Sequence, residues 1–325
     1  MSLKQCVVGI GEVLKDVFEN GHATLGGAPF NVTFHLHQLL TGLSLGEAVF
    51  VSAVGNDPWG KSIRSAVAAA GMSTEYIAIV EQPTGTAYVF EHEGGAGFEI
   101  QPNVAWDYIE LDEKACELAR NCNAAVFGSL AQRSELSRQS ITEFVSQVNG
   151  HRLYDVNLRR NTTDGVPGYN AEIIANSLTL ATVVKMNDVE LEEVSSLLGF
   201  IAGSRDQEER SRILMERLRA EFHLDAVAIT RGRKGALLAT NGKQVGLPDS
   251  GLDQGLVHPV GAGDSFAAGL LFGTMQGWAP EDSMALANML SSWVVRHVSA
   301  TPPLPDEVLS EIRALQLRAS MTTLS

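Results

Sequence analysis

Val260-Gly261-Ala262-Gly263-Asp264-Ser265-Phe266, followed at once by Ala267-Ala268-Gly269-Leu270-Leu271-Phe272, reads as a bare loop running into a buried helix. Two glycines and an alanine leave the backbone uncovered, so successive N–H groups can close around an anion. The helix would aim its positive end at that anion. Asp264 stands where loop becomes helix, suited to cap the helix or to take a proton from a substrate hydroxyl. Small residues, a helix N-terminus and one carboxylate suit phosphoryl transfer. A Gly-rich turn with a capping Asp is the competing reading, and this stretch alone does not separate the two.

Upstream, helices and strands alternate. Helices are predicted over 112–121, 134–149, 170–180 and 206–222, each followed by a strand, at 124–128, 152–156, 182–186 and 226–230. That rhythm implies an α/β fold with a mostly parallel sheet and helices on both faces. Nearer the N-terminus, 5–10 and 48–54 read as buried strands, and helical patterns follow Asn31 and cover 60–70. Two segments break the rhythm. Residues 12–18 alternate apolar and charged residues, as in a sheet with one wet face, and 84–104 looks like a hairpin around Glu93-Gly94-Gly95-Ala96. Their pairing would make a small lid. A hairpin of 236–239 with 243–247 leads to the glycine loop, and helices at 264–277, 281–297 and 305–316 finish the chain.

The chain has 325 residues, 45% of them hydrophobic, enough for a large core in one or two domains. Its net charge of −14 and lack of a Lys/Arg run argue against a nucleic-acid or anionic-membrane surface. Cys6, Cys116 and Cys122 form neither a C-x-x-C pair nor a disulfide ladder, which suits a reduced cytoplasm. The apolar run at 6–10 is too short for a signal or membrane span.

One motif is a decoy. Gly55-Asn56-Asp57-Pro58-Trp59-Gly60-Lys61-Ser62 matches the P-loop pattern and sits between a strand and a helix. Pro58 removes a donor, Trp59 adds bulk and Asp57 sets a negative charge where a phosphate would lie. The expected role of Asp57 and Gly60 is a strand-to-helix turn, with Lys61 solvated.

Six segments occur in a telling order: Gly26-Gly27-Ala28-Pro29-Phe30-Asn31, Val54-Gly55-x-Asp57-x-x-Gly60, Asp155-x-Asn157-x-Arg159, Asn187-x-x-Glu190, Thr230-x-Gly232-x-x-Gly235 and Gly261-Ala262-Gly263-Asp264. This series resembles the ribokinase-like (PfkB) carbohydrate kinases over about residues 6–305. Gly11-Glu12, Pro29 and the Asp-x-Asn-x-Arg strand end look most like the fructokinase branch. The resemblance implies a three-layer α/β core, residues 1–11, 26–83 and 105–325, with a discontinuous β lid of 12–25 and 84–104.

It also implies roles. Asp16, Gly26, Gly27 and Asn31 are expected to bind sugar, with Asp155 and Asn157 at a strand end and Asn103 on the lid. Taken singly, Asp16 would be a solvated strand charge, Asn31 a helix cap and Asn103 a turn residue. Extended backbone would set Asp155, Asn157 and Arg159 on one side. Lys185, Asn187, Thr230, Gly232, Gly235 and Asn288 are expected on the ATP side, and Glu190 near Mg²⁺ through water, with an acidic helix start as its alternative. Asp264 would act as base, while Gly261, Ala262, Gly263 and Arg159 would meet the transferring phosphoryl group.

The implied activity is ATP-dependent phosphorylation of a monosaccharide, fructose first, at a primary hydroxyl. Ribose, ketodeoxygluconate or a nucleoside such as adenosine stands as alternative acceptor, and a non-catalytic sugar or nucleotide sensor as the other class. The implied partners are sugar, ATP and a second copy of the chain through the lid. Two departures bear on cations. His258-Pro259 stands where the family often has Asp-Thr, and Ser299-Ala300 where Gly-Ala is usual. Imidazole is a poor ligand for potassium, so weak or absent potassium activation is expected. Phe98-Glu99-Ile100-Gln101 lacks the Arg expected for ketodeoxygluconate.

Overall fold

The computed structural model describes residues 4–92, 95–159, 168–247 and 258–322. Its strands are β1 (Gln5–Ile10), β2 (Leu14–Phe18), β3 (Ala23–Gly26), β4 (Gly46–Gly55), β5 (Ile77–Val80), β6 (Thr86–His92), β7 (Gly95–Ile100), β8 (Ala124–Gly128), β9 (His151–Asp155), β10 (Val183–Asn187), β11 (Ala226–Thr230), β12 (Ala236–Thr240) and β13 (Lys243–Leu247). The helices are α1 (Ala28–Gly42), α2 (Pro58–Ala69), α3 (Glu113–Asn121), α4 (Glu135–Ser146), α5 (Ala171–Leu180), α6 (Asp188–Leu197), α7 (Gln207–Glu221), α8 (Ala262–Met275), α9 (Pro280–Val294) and α10 (Asp306–Thr322).

Nine strands form one sheet in the order β13-β12-β11-β10-β9-β8-β1-β4-β5, antiparallel only where β12 meets its two neighbours. Period-two alternation divides most of its side chains between two large cores, with a smaller third around Phe50, Val54 and Ile77 at the β4–β5 edge. Val8, Phe127, Tyr154, Val184 and Ile229 face one side with residues of α4, α5, α6 and α7. Val7, Val126, Leu153, Val183 and Ala228 face the other with α1, α8, α9 and α10. This is the expected three-layer α/β fold. The chain runs outward from β1 to β4 and β5, then resumes at β8 on β1's other side. That reversal opens a crevice at the carboxyl ends of β1 and β8, where open α/β sheets take ligands.

A second sheet, β3-β2-β6-β7, joins the two segments that break the rhythm. Strand β3 lies in what reads as a glycine loop, and α6 follows β10 directly; neither is visible as a separate element in the apolar pattern. The tip of the 84–104 hairpin at 93–94 lies outside the described residues. The expected wet face on 12–18 is not observed over β2, because Leu14, Lys15 and Asp16 are all buried. The cavity covers one side, and Trp59 of α2 covers Lys15, whose ammonium stands 5.7 Å from its ring centroid.

The decoy resolves as a turn. Asp57 caps α2 by accepting from the Gly60 N–H at 2.8 Å, and it also accepts from the Thr84 N–H and hydroxyl. Lys61 is exposed. A carboxylate filling the loop leaves no anion cradle.

Candidate active site

The crevice holds a cavity of about 440 Å³, within the range of small-molecule sites. The end of β1 contributes Glu12, and β2 contributes Leu14 and Asp16. Gly27, Ala28 and Asn31 come from the start of α1, and Ala87 and Ile100 from the small sheet. Beyond β9 come Asn157 and Arg159; β10 and α6 add Lys185, Asn187 and Glu190, β11 adds Thr230, and Pro259, Val260, Gly261, Gly263 and Asp264 close the wall.

The glycine loop behaves as its composition dictates. Gly261 sits at φ 83°, and its missing Cβ leaves room for the Ala300 backbone, whose Cα would otherwise be 2.7 Å away. Helix α8 therefore begins at Ala262, which places Asp264 inside the first turn rather than at the cap. The expected capping role falls away. Ala262 turns its N–H to the Pro259 carbonyl at 3.3 Å and does not line the cavity; Gly261 and Gly263 do.

Asp264 is tied across 233 residues to Asn31, whose Nδ2 donates to its Oδ2 at 2.8 Å. The Asn31 Oδ1, buried in the same wall, has no hydrogen-bond partner. Burial raises the Asp264 pKa above the usual carboxylate value, opposed by Lys185, the Asn31 hydrogen bond and Arg159. A carboxylate poised upward at a helix N-terminus is an apt proton acceptor. Nearby, burial first and then Asp264 push Asp16 up to about 7. Gly26 does not line the cavity; a Cβ there would collide with the Asp16 carboxylate, so its bareness seats Asp16.

Asp155 lies beneath the wall rather than in it. Asn157 has φ 37°, which breaks the extended path and sends Asn157 and Arg159 to the cavity without Asp155. Fully buried, Asp155 accepts from Lys185 Nζ at 3.1 Å. Burial outweighs that ammonium and pushes the Asp155 carboxyl up to about 6. Burial disfavours the Lys185 charge too, but Asp155, Glu190 and Asp264 together hold its pKa above the usual value. Gly263 is bare because a Cβ there would stand 2.6 Å from Lys185 Nζ. A buried cation thus lies directly under the glycine loop.

Asn187 and Glu190 make a capping box on α6, and Glu190 Oε1 also accepts from the Leu158 N–H at 2.9 Å. The acidic-helix-start reading is therefore what the hydrogen bonds show, and the same residues face the cavity. Both Glu190 oxygens are engaged by backbone N–H groups, and among the described residues no three His, Cys, Asp or Glu side chains gather as a metal cage. That chemistry fits a Mg²⁺ carried by nucleotide phosphates and met by one carboxylate through water. Gly232 (φ 55°) and Gly235 (φ 79°) form the turn after β11, outside the cavity lining, and half-buried Asn288 on α9 is likewise outside it. Asn103 is exposed at φ 55°, in the turn reading left open for it. Glu12, noted in the sequence only as part of the Gly11-Glu12 pair, was given no site role, because a lone Glu after a strand has no periodic signal.

A family model described as pfkB family carbohydrate kinase matches residues 2–307. The chain is 27% identical over 287 residues to a fructokinase of Klebsiella pneumoniae, covering 86% of this chain and 87% of that one. A fructokinase from Vibrio cholerae O395, solved with fructose, ADP and potassium ion bound, superposes with TM-score 0.76 at 23% identity, covering 96% of this chain and 99% of that one. An aminoimidazole riboside kinase from Salmonella enterica, solved with that riboside and an ATP analogue, gives TM-score 0.73 at 22% identity over 96% and 100%. At such identities the structural likenesses speak for the fold alone. Among the described residues no helix is long and apolar enough to cross a membrane.

Proposed function

The chain belongs to the pfkB family of carbohydrate kinases, and on that premise we propose that its acceptor is fructose, phosphorylated by ATP at a primary hydroxyl. It is a sugar phosphotransferase. The Asn31–Asp264 hydrogen bond carries the reading: it holds an elevated carboxylate at the glycine loop while leaving the Asn31 Oδ1 open to a sugar hydroxyl. The likeness to the Klebsiella fructokinase supports fructose over ribose or a nucleoside.

In this reading the sugar lies against Asp16, Gly27, Asn31 and Asn157, with Leu14, Ala87 and Ile100 excluding water. Asp264 Oδ1 accepts the hydroxyl proton as the oxygen attacks the γ-phosphorus, and the ADP oxygen leaves in line. N–H groups at the start of α8, Lys185 beneath them and Arg159 beside them stabilise the equatorial oxygens. Asn187 and Thr230 face the nucleotide. Mg²⁺ bound with ATP, near Glu190, supplies neutralisation of phosphate charge. The small sheet serves as a lid, and its exposed Tyr88 and open edges β3 and β7 suit pairing with a second copy. The three free cysteines suit a cytoplasmic enzyme.

The test is ADP release from Mg-ATP across fructose, ribose, ketodeoxygluconate, other hexoses and nucleosides. A fructose-dependent signal is expected, falling at least ~100-fold in Asp264→Asn and unchanged in Lys61→Ala. A signal with another acceptor alone would reassign the substrate. Sugar binding without turnover would favour the sensor.

A further inference from the structure

Glu12 is a buried carboxyl to which the proposed mechanism assigns no task. It stands two residues beyond the end of β1, is 1% exposed, and lines the cavity beside Leu14 and Asp16. Its Oε2 has no hydrogen-bond partner. An acidic oxygen withdrawn from water and left unmatched is unfavourable, and natural structures retain such groups where a ligand completes them.

The carboxyl is also held in place. Gly27 packs so closely on the Glu12 carbonyl that no Cβ would fit between them. Ser52 Oγ donates to the preceding Gly11 carbonyl at 2.6 Å. The Glu12 Oε2 is thus held in the wall and left for another partner.

We infer that Glu12 is a further acceptor-binding residue, hydrogen-bonding a sugar hydroxyl other than the one phosphorylated. This rests on the proposed kinase site. A hydroxyl has one proton to give, and the reacting one gives it to Asp264, so a second carboxyl serves a different hydroxyl. Glu12 enters from the β1–β2 turn, on the side of Asp16, whereas Asp264 enters from α8. The groups acting on it are Arg159 from the segment after β9, Asp264 from α8 and Asp155 from β9. Burial pushes its carboxyl up to about 7, so near neutrality it can either donate to or accept from a hydroxyl. A pair of acids, Glu12 and Asp16, thus grips the acceptor, and the spacing of its hydroxyls becomes a selection rule.

The experiment measures KM and kcat of wild type, Glu12→Gln and Glu12→Ala with fructose, ribose and their monodeoxy analogues, with ATP KM and thermal stability in parallel. Glu12→Ala should raise the acceptor KM roughly 10- to 100-fold with ATP KM unchanged, and Glu12→Gln should fall between. For the one analogue that lacks the hydroxyl held by Glu12, wild type and Glu12→Ala should agree. An equal penalty on every analogue, a matching rise in ATP KM, or no change in acceptor KM overturns the inference and leaves the kinase reading standing. A folded wild type that turns over no acceptor overturns both.

Discussion

Replacing Lys185 by Met removes the cation beneath the glycine loop while keeping its volume. Nζ stands 3.1 Å from Asp155 Oδ1 and 3.5 Å from Oδ2, with side chains 6% and 0% exposed. At an effective dielectric of 20 the attraction is about 5 kcal/mol, comparable to the desolvation that opposes it, so the intact pair is near neutral for stability. Breaking it is not. Lys185→Met leaves Asp155 buried and unpaired, a loss of about 3–5 kcal/mol. The same change withdraws counter-charge from Glu190 and Asp264. The loss depends on pH. Without Lys185 the folded Asp155 pKa rises from about 6 while its unfolded value stays ordinary. Stability is then retained while the group is protonated and lost as pH rises toward the folded value. Urea unfolding should therefore show a large deficit at pH 8 and a smaller one at pH 5. The double variant Asp155→Asn/Lys185→Met should recover a large part of the deficit, because the carboxylate at 155 is no longer left unpaired, while Glu190 and Asp264 still lack their cation. A deficit below about 1 kcal/mol at pH 8, or a double variant no better than the single, would refute the argument.

Gly261→Ala forces a Cβ at φ 83° against the Ala300 backbone and should lower stability by about 2 kcal/mol or more, read by thermal unfolding; a wild-type melting curve would contradict the steric account. Glu12 rises from 4.5 to about 7 on folding, so its contribution is full below pH 4.5 and is lost as pH climbs through 7. Glu12→Gln should flatten the stability profile between those limits by about 3 kcal/mol, and an unaltered slope would remove Glu12 as its source. Initial rates in sodium and potassium should be equal, since His258-Pro259 stands where the resembled family often has Asp-Thr and imidazole is a poor potassium ligand. A large potassium-specific rise would sink that expectation.

The sequence by itself determined what depends on local order. Strand and helix periodicity specified the α/β layers, since β8 and β11 coincide with apolar runs bounded by helical patterns. The bare backbone at Gly261–Gly263 pointed to a candidate anion loop, and the interior of 55–62 argued against a second one, because steric and charge conflicts within a loop act over a few residues. Tertiary structure decided the rest. Asn31 and Asp264 meet only because α1 and α8 pack on the same face of the sheet. Positive φ at Asn157 turned Asp155 out of the expected row and gave it to Lys185. Glu12 acquired its importance from burial, which a one-dimensional pattern does not encode: a carboxyl's pKa and partners are set by whatever the folded chain brings within a few ångströms of it.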